Sequence, residues 1–351
     1  LEKTLQAASH AFDLPTNEDS KGVPAKHTEQ RRGSYWFMAA RESDADRIIA
    51  YARRTGIRQL MLSSGSWCAR VGHYPINTNC FPEGEASLKR FVDKLHAAGI
   101  LVGLHCFASK VSKTDAYVTP VPDRRFWVDM RTTLPAAIDA SQTTIKAGDL
   151  SQWPGSPVCK QKYWEGGIDK HREVILDDEI IRYERIGPEG VWDTFEGCQR
   201  GAWGTKAAAH AAGTEGRHYG VDGCINGYII DQETTLLAET TDRLAGIFNR
   251  CGFDMIYFDG GEDVDRRRFN YYVSNFQETV MRKLTKRPLL HMGTIMTHRL
   301  WHSFARSATV DVYLATLHGA IQAGYQIDKW PTVREHIDKS VKYLLSVNED
   351  L

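Results

Sequence analysis

Short runs with an apolar centre alternate with amphipathic segments in the first part of the chain. The runs are residues 35–40, 59–64 and 100–107. Ahead of the third run, Leu88, Phe91, Val92 and Leu95 follow the i, i+3, i+4, i+7 spacing of an amphipathic helix, which Gly99 ends. The third run carries apolar residues on both faces. Strands of this kind, separated by helices, predict a buried parallel sheet.

The same alternation returns after residue 232. It predicts a helix marked by Leu237, Leu244, Ile247 and Phe248, strands at 253–259, 288–293 and, more weakly, 309–313, and helices at 266–285 and 332–346. Six β-α units fit a TIM-type (β/α)8 barrel, which needs eight. Either two units are too weakly patterned to recognise, or the barrel is truncated at its C-terminus. The alternative is a flavodoxin-like open sheet, but residues 40–43 are not the glycine-rich phosphate loop of that fold.

Residues 113–232 interrupt this alternation and are rich in Gly, Pro and Trp. We predict that residues 150–230 form a β-rich insertion between strands three and four of the barrel. A connection of this length usually carries function. It contains the pattern RGxxGTxxxxH, from Arg200 to His210, which resembles a β-hairpin element. Residues 1–33 are polar and irregular and predict an N-terminal arm, so the barrel domain is expected to span 34–351.

Composition excludes several classes of protein. The chain has 351 residues, 42% of them hydrophobic and 25% charged, which are globular proportions. Its 44 basic and 44 acidic residues cancel, so the positive footprint of a general nucleic-acid binder is missing. No apolar run approaches the roughly 20 residues of a membrane-spanning helix. The seven cysteines form no CxxC pair, so a zinc site is not expected.

Polar and aromatic residues gather where the predicted strands end. In a β/α barrel the active site lies at the C-terminal ends of the strands. The candidates after strands two to five are Trp67, His105, Lys110, Tyr257, Asp259, Glu262, His291, His298, Arg299, Trp301 and His302. A barrel whose only role is structural would not need such residues at almost every strand end.

The fourth strand makes the sharpest prediction. Met255, Tyr257 and Asp259 share one face because side chains alternate along a strand. If the opposite face packs on helices, Asp259 points into the barrel mouth, where a carboxylate suits nucleophilic or acid–base catalysis. Glu262 can fold back towards the same pocket after two glycines. A separation of about 5–5.5 Å between the two carboxyl groups predicts retention, and about 6.5–9.5 Å predicts inversion.

Other roles stay open for these residues. Asp259 can instead cap the next helix while Glu262 is solvated, and Asp311 is a reserve candidate for the proton donor. Trp67 is expected to stack on a sugar ring or to fill the core. Lys110 belongs to a basic loop, with Lys113, Arg124 and Arg125, that would attract an anionic substrate or simply be solvated.

His105 and His291 sit near strand ends, and three readings remain for them. They can donate hydrogen bonds to a substrate, they can be satisfied inside the structure, or they can ligate a metal ion as in amidohydrolase-type barrels. The metal reading expects an HxH pair on the first strand, and the sequence has none there.

Three stretches resemble a known family: SSGSW with the following VGHYPIN, GLHCFASKVSKTDAYVTPVPD, and GFDMIYFDGGE. They resemble barrel-type glycoside hydrolases of bacterial polysaccharide degraders. More remotely, they are similar to the retaining α-glycosidase superfamily of α-galactosidases and endo-α-N-acetylgalactosaminidases. The resemblance covers residues 34–125 and 233–315. In that superfamily the nucleophile is a strand-four Asp in a hydrophobic-Tyr-x-Asp setting, which Asp259 matches. The chain departs from the α-galactosidase pattern at Tyr257, where that pattern has lysine, and it shows no clear strand-six acid motif.

The resemblance implies a glycoside hydrolase that cleaves a polysaccharide or oligosaccharide, with an anionic one as a candidate. It implies two catalytic carboxylates, Asp259 and Glu262, no cofactor, and a secreted or periplasmic location. A start at Leu1 rather than Met is expected if a signal peptide was removed. The alternatives are a non-catalytic carbohydrate-binding or structural barrel, and a metal-dependent hydrolase that uses His105 and His291.

Overall fold

A computed structural model of the chain describes residues 2–19, 21–160, 167–222, 225–261, 268–294 and 298–303. The predicted strand at 309–313, the predicted helix at 332–346, and the candidates Glu262 and Asp311 lie outside the described residues.

The strands in the described part are β1 (Tyr35–Met38), β2 (Gln59–Leu62), β3 (Leu101–Phe107), β4 (Lys110–Ser112), β5 (Val128–Thr133), β6 (Thr144–Lys146), β7 (Glu173–Leu176), β8 (Glu179–Arg182), β9 (Arg185–Gly187), β10 (Thr194–Glu196), β11 (Glu215–Tyr219), β12 (Val221–Asp222), β13 (Gly227–Ile229), β14 (Met255–Asp259) and β15 (Leu290–Gly293). The α-helices there are α1 (Glu2–Ala11), α2 (Glu29–Arg32), α3 (Ala45–Thr55), α4 (Ser64–Trp67), α5 (Glu85–Ala97), α6 (Ile168–His171), α7 (Thr235–Cys251) and α8 (Phe269–Lys283).

Five parallel strands form the central sheet in the order β1-β2-β3-β14-β15. These are five of the six predicted strands, so the parallel α/β sheet is confirmed. Sequential neighbours that pair in parallel are what successive β-α units produce. Among the described residues β1 and β15 have no second partner strand, so this part of the chain shows no closed barrel, and the truncated barrel stays a prediction.

The helices that cover this sheet begin and end where local chemistry requires it. The side chain of Thr234 accepts the N–H of Leu236 and caps the start of α7. Gly56 and Gly252 end α3 and α7 with φ values of 77° and 80°, in the left-handed region that favours glycine. Leu244 and Phe248 lie on the buried face of α7. No helix in the described part of the chain is both long enough and apolar enough to cross a membrane.

The two faces of the sheet have different surroundings. Ile256 and Phe258 share an apolar core with α7 and with residues of α8 such as Phe276. On the other face, Gly103 lies between Met61 and Met255. A Cβ at Gly103 would lie 2.6 Å from the Met61 methyl carbon, so any larger residue there would force the Met61 side chain to move. Tyr257 and Asp259 lie on this second face because side chains alternate along β14.

The N-terminal arm differs from the sequence prediction of an irregular segment. Residues 2–11 form α1, and a four-residue helix, α2, follows before β1. The sequence of α1 contains Glu, Lys, Leu, Gln and Ala, which are strong helix formers. The polarity of this segment hid its helix propensity.

Antiparallel β-structure fills the connection between β3 and α7. Its described residues form three sheets, in the orders β6-β10-β9, β5-β11-β7-β8 and β12-β13-β4. The first strand of this region is β4, so β-structure begins at Lys110, well before the predicted start at residue 150. This early start places Lys110 in the antiparallel region rather than on the end of the third barrel strand.

The RGxxGTxxxxH pattern of this region folds around one buried carboxylate. Arg200 donates two hydrogen bonds to Glu179, at 2.9 and 2.8 Å, and His210 Nε2 lies 2.9 Å from the same carboxylate. Thr205 Oγ1 accepts the main-chain N–H of Ile180 at 3.0 Å. The pattern therefore has a structural role, because its polar side chains satisfy one another and the neighbouring backbone.

Candidate active site

Asp259 ends β14 at the C-terminal edge of the central sheet. It pairs in register with Phe107, the last residue of β3, and its side chain is 28% exposed. Gly260 follows with a φ of 69°, and a Cβ at this position would lie 2.4 Å from Lys110 Nζ. The turn after the strand therefore requires glycine, and it leaves the Asp259 carboxylate open to solvent.

Two donors hold the Asp259 carboxylate. His105 Nε2 lies 3.1 Å from Oδ2, and the main-chain N–H of Gly260 donates to Oδ1 at 2.8 Å. The main-chain N–H of Ser64 donates to His105 Nδ1 at 3.1 Å. Because Nδ1 accepts, the proton of a neutral ring is on Nε2 and is donated to Asp259. The buried His105, 4% exposed, thus fixes the orientation of a carboxylate that retains free lone pairs.

Aromatic rings surround this histidine. The ring centroids of Phe37, Tyr257 and Phe107 lie 4.9, 4.9 and 5.2 Å from the centroid of His105. Tyr257 is 9% exposed, and Phe37 is 49% exposed. Phe37 offers an aromatic surface beside His105 and Tyr257, and it was not among the residues predicted from the sequence. The register Phe37–Met61–Gly103–Met255 places it on the Asp259 face, so alternation along β1 was the available signal.

Trp67 does not form the predicted stacking wall. Its side chain is fully buried, its indole N–H donates to the carbonyl of His105 at 2.8 Å, and its ring stacks on Tyr74 at 5.7 Å. Trp67 therefore supports the end of β3 from within the core. The prediction was wrong because the short helix α4 turns this residue inwards.

Lys110 is also not a solvated binding residue. It is fully buried, forms an ion pair with Asp222 at 2.9 Å, and donates to the carbonyl of Gly260 at 2.9 Å. The lysine thus fixes the turn that follows Asp259. Lys113 is likewise buried and paired with Glu173 at 2.8 Å. The positive charge of both lysines is neutralised within the protein, so these residues do not create an anion-attracting loop.

His291 points away from the site. It is in register with Ile256 and therefore faces α8, where Nε2 lies 2.9 Å from Gln277 Oε1 and Nδ1 lies 2.9 Å from Ser303 Oγ. Burial lowers the pKa of His291 to about 3. His105 is in register with Tyr257 on the opposite face. The two histidines cannot ligate one metal ion, and the metal-hydrolase alternative built on them is wrong.

The predicted residues after β15 also lie elsewhere. The guanidinium of Arg299 lies 4.5 Å from the Tyr271 ring of α8 and 3.5 Å from Glu278. His302 is buried and donates from Nδ1 to the carbonyl of Pro15 at 2.9 Å. Trp301 is 43% exposed and contacts the edge of His302. None of the three contacts Asp259 in the described part of the chain. The side chain of His298 and the whole of Glu262 lie outside the described residues.

No protein-family model matches the chain, and no curated protein matches its sequence. Solved structures do match. The structure is remotely similar to glycoside hydrolases. A family GH13_31 enzyme aligns with a TM-score of 0.45 and 10% identity, covering 76% of this chain and 47% of that one. A trehalose-6-phosphate hydrolase from Bacillus licheniformis aligns with a TM-score of 0.41 and 9% identity, covering 76% of this chain and 45% of that one. A GH36 α-galactosidase from Geobacillus stearothermophilus aligns with a TM-score of 0.41 and 12% identity, covering 81% of this chain and 30% of that one.

The chain therefore spans less than half the length of these three enzymes. At these identities and TM-scores the likeness does not assign a reaction. Any assignment of chemistry must rest on the site itself.

Proposed function

We propose that the protein is a glycoside hydrolase in which Asp259 is a catalytic carboxylate. The observation that carries this proposal is the position, exposure and hydrogen bonding of the Asp259 side chain. It stands at the C-terminal edge of a parallel sheet, is partly exposed, and is oriented by His105 and the Gly260 amide. A carboxylate has about four lone-pair sites, and these contacts use only two of them. The remaining lone pairs are available to attack a substrate or to accept a proton.

The chemistry has two balanced forms. In a retaining reaction, Asp259 attacks the anomeric carbon, the glycosidic C–O bond breaks, and the leaving oxygen takes a proton from an acid, for which we propose Glu262. Water then attacks the anomeric carbon, gives its proton to the Glu262 carboxylate, and releases the sugar from Asp259. In an inverting reaction, Asp259 instead removes a proton from the water that attacks the anomeric carbon, while the glycosidic C–O bond breaks and the leaving oxygen takes a proton from Glu262 or Asp311. The configuration of the first-formed product separates the two forms.

The surroundings of Asp259 support a neutral carbohydrate over an anionic one. The half-exposed ring of Phe37 and the Tyr257 ring provide an apolar surface that suits a sugar face. The nearby Lys110 is already neutralised by Asp222. We therefore propose a neutral oligosaccharide or polysaccharide as the substrate. A secreted or periplasmic location stays a prediction.

The test is hydrolysis of 4-methylumbelliferyl α- and β-glucosides and galactosides, and of neutral polysaccharides. The variants are Asp259→Asn, Asp259→Ala and the control Asp242→Asn, since Asp242 is an exposed aspartate of α7. We expect activity in the wild type and the control, and none in the two Asp259 variants. Added azide should restore Asp259→Ala and yield a glycosyl azide if Asp259 is the nucleophile.

Two outcomes would contradict the proposal. Equal activity of wild type and Asp259→Asn would remove Asp259 from the chemistry. Retained binding of a polysaccharide by a wild type that hydrolyses none of the panel would favour the non-catalytic carbohydrate-binding alternative.

A further inference from the structure

Another histidine–carboxylate pair consists of His73, in the loop between α4 and α5, and Asp115, which follows β4. His73 Nδ1 is 2.5 Å from Asp115 Oδ1, with the two side chains 30% and 1% exposed. Asp115 also accepts the main-chain N–H groups of His73 and Tyr117, each at 3.0 Å. A carboxylate with so many donors favours a proton on His73 Nδ1, which leaves the Nε2 lone pair of the neutral ring as an acceptor.

The His73 ring is held from a second side. It stacks on the ring of Tyr117 with centroids 4.0 Å apart, and the Tyr117 hydroxyl donates to Glu239 at 3.1 Å. Gly72 lets the loop approach, because a Cβ there would lie 2.9 Å from Asp115 Cγ. Within the described residues, His73 Nε2 has no protein partner. The ring is thus pre-oriented, partly exposed, and has one nitrogen left over.

Contacts connect this pair to the surroundings of Asp259. Tyr74, next to His73, stacks on Trp67, whose indole bonds to the backbone of His105. On the other side, the N–H of Val71 donates to Ser112 Oγ at the end of β4, and β4 begins at Lys110, which bonds to the turn after Asp259. The pair therefore belongs to the same edge of the sheet as Asp259.

A purely structural role does not need the imidazole. The main-chain N–H of His73, which Asp115 accepts, already joins the two loops. The imidazole adds a ring of fixed orientation whose Nε2 can bind a ligand.

We propose that His73 is a substrate-binding residue whose Nε2 accepts a hydrogen bond from a sugar hydroxyl, with Asp115 as its positioning residue. This inference rests on the proposed glycosidase function. Binding by an oriented neutral acceptor acts on the ground state and the transition state alike, so its loss should appear mainly in KM.

The first test compares His73→Phe with His96→Phe. Phenylalanine keeps the ring that stacks on Tyr117 but removes both nitrogens. His96 is the matched control, because it is also 30% exposed and pairs with a buried carboxylate, Asp254, at 2.6 Å. Asp254 precedes β14, so the control lies at the opposite edge of the sheet. With the best glycoside of the panel, we expect His73→Phe to raise KM roughly tenfold with little change in kcat. We expect no change for His96→Phe.

The second test does not need turnover. Diethyl pyrocarbonate should label His73 at Nε2, and mass spectrometry of peptides measures the rate at His73 and at His96. Saturating glucose or galactose should slow labelling of His73 at least threefold for one of the two sugars and leave His96 unchanged. The inference would be overturned if His73→Phe had an unchanged KM and if neither sugar slowed the labelling of His73.

The results also separate this inference from the proposed function. An inactive Asp259→Asn beside a His73→Phe variant of normal KM would refute only the role of His73. An active Asp259→Asn would refute the proposed function, and labelling would still report whether His73 binds a sugar.

Discussion

The two ends of β14 carry aspartates with opposite properties. Asp254 precedes the strand and is 5% exposed, and it accepts hydrogen bonds from His96 at 2.6 Å, from the N–H of Val102 at 2.8 Å, and from Lys286. Although burial raises the pKa of Asp254, the bonds from His96, Lys286 and Val102 lower it below its ordinary value. Asp259 ends the strand and is 28% exposed, and in the described part of the chain its donors are His105 and the main-chain N–H of Gly260.

The difference separates a carboxylate with a structural role, Asp254, from Asp259, the carboxylate that we propose as catalytic. Both aspartates lie beside a histidine, so the presence of a His–Asp contact decides nothing. Three donors, one of them a cation, take up Asp254, which joins the start of β14 to β3 and α5. The described donors orient the Asp259 carboxylate but use only part of its hydrogen-bond acceptor sites. Asp259 also lies at the C-terminal edge of the sheet, where α/β sheets bind ligands.

The largest effect should come from Asp259→Asn. We expect kcat to fall by at least about 10³-fold, because the amide can neither attack carbon nor accept a proton. The thermal midpoint should stay within a few degrees, since the side chain is partly exposed and the substitution keeps its shape. Initial rates and a circular dichroism melt measure the two quantities. A loss of stability without a loss of turnover per folded molecule would reverse the comparison with Asp254.

Lys110→Met should have the next largest effect. Lys110 and Asp222 are both fully buried, so removing the ammonium takes away the ion pair that compensates the buried Asp222 carboxylate. Breaking such a pair costs about 3–5 kcal/mol in the free energy of unfolding. Urea denaturation measures the loss, and the double variant Lys110→Met/Asp222→Leu should recover part of it. Equal stability of the single variant and the wild type would show that Lys110 does not hold the turn after Asp259.

Asp254→Asn should lower stability by about 2 kcal/mol, because hydrogen bonds to a charged group are worth about 1.5–3 kcal/mol. Turnover per folded molecule should be unchanged. Its stability should also respond less to acid. The lowered pKa of Asp254 contributes stability above the ordinary aspartate pKa, and this contribution is lost as the pH falls through the folded-state pKa. Urea midpoints between about pH 5 and pH 3 test this, with Asp242→Asn as the control.

Local patterns were enough to predict the strands and the face of Asp259. The alternation along Met255–Asp259 depends only on neighbours in sequence, and the structure keeps it. Lys110, His291 and Trp67 are three of the predicted binding residues that lie elsewhere, and their surroundings come from distant parts of the chain. Lys110 is buried in an ion pair with Asp222, and Trp67 is enclosed by the core. The register with Ile256 turns His291 towards α8 and away from the Asp259 face. Burial of long polar side chains is set by tertiary partners, which one sequence does not reveal.

His291, which faces away from the site, gives the smallest expected effect, a change in how stability depends on pH. Burial lowers the pKa of His291 to about 3, so the folded protein keeps this ring neutral while the unfolded chain takes up a proton below about pH 6.5. The resulting stability is complete above that pH and is lost as the pH falls towards 3, by up to about 1.4 kcal/mol per pH unit. His291→Gln should flatten the dependence of the urea midpoint on pH between about 6.5 and 4.5. A variant with the wild-type slope would show that His291 takes up its proton in the folded state as readily as in the unfolded chain.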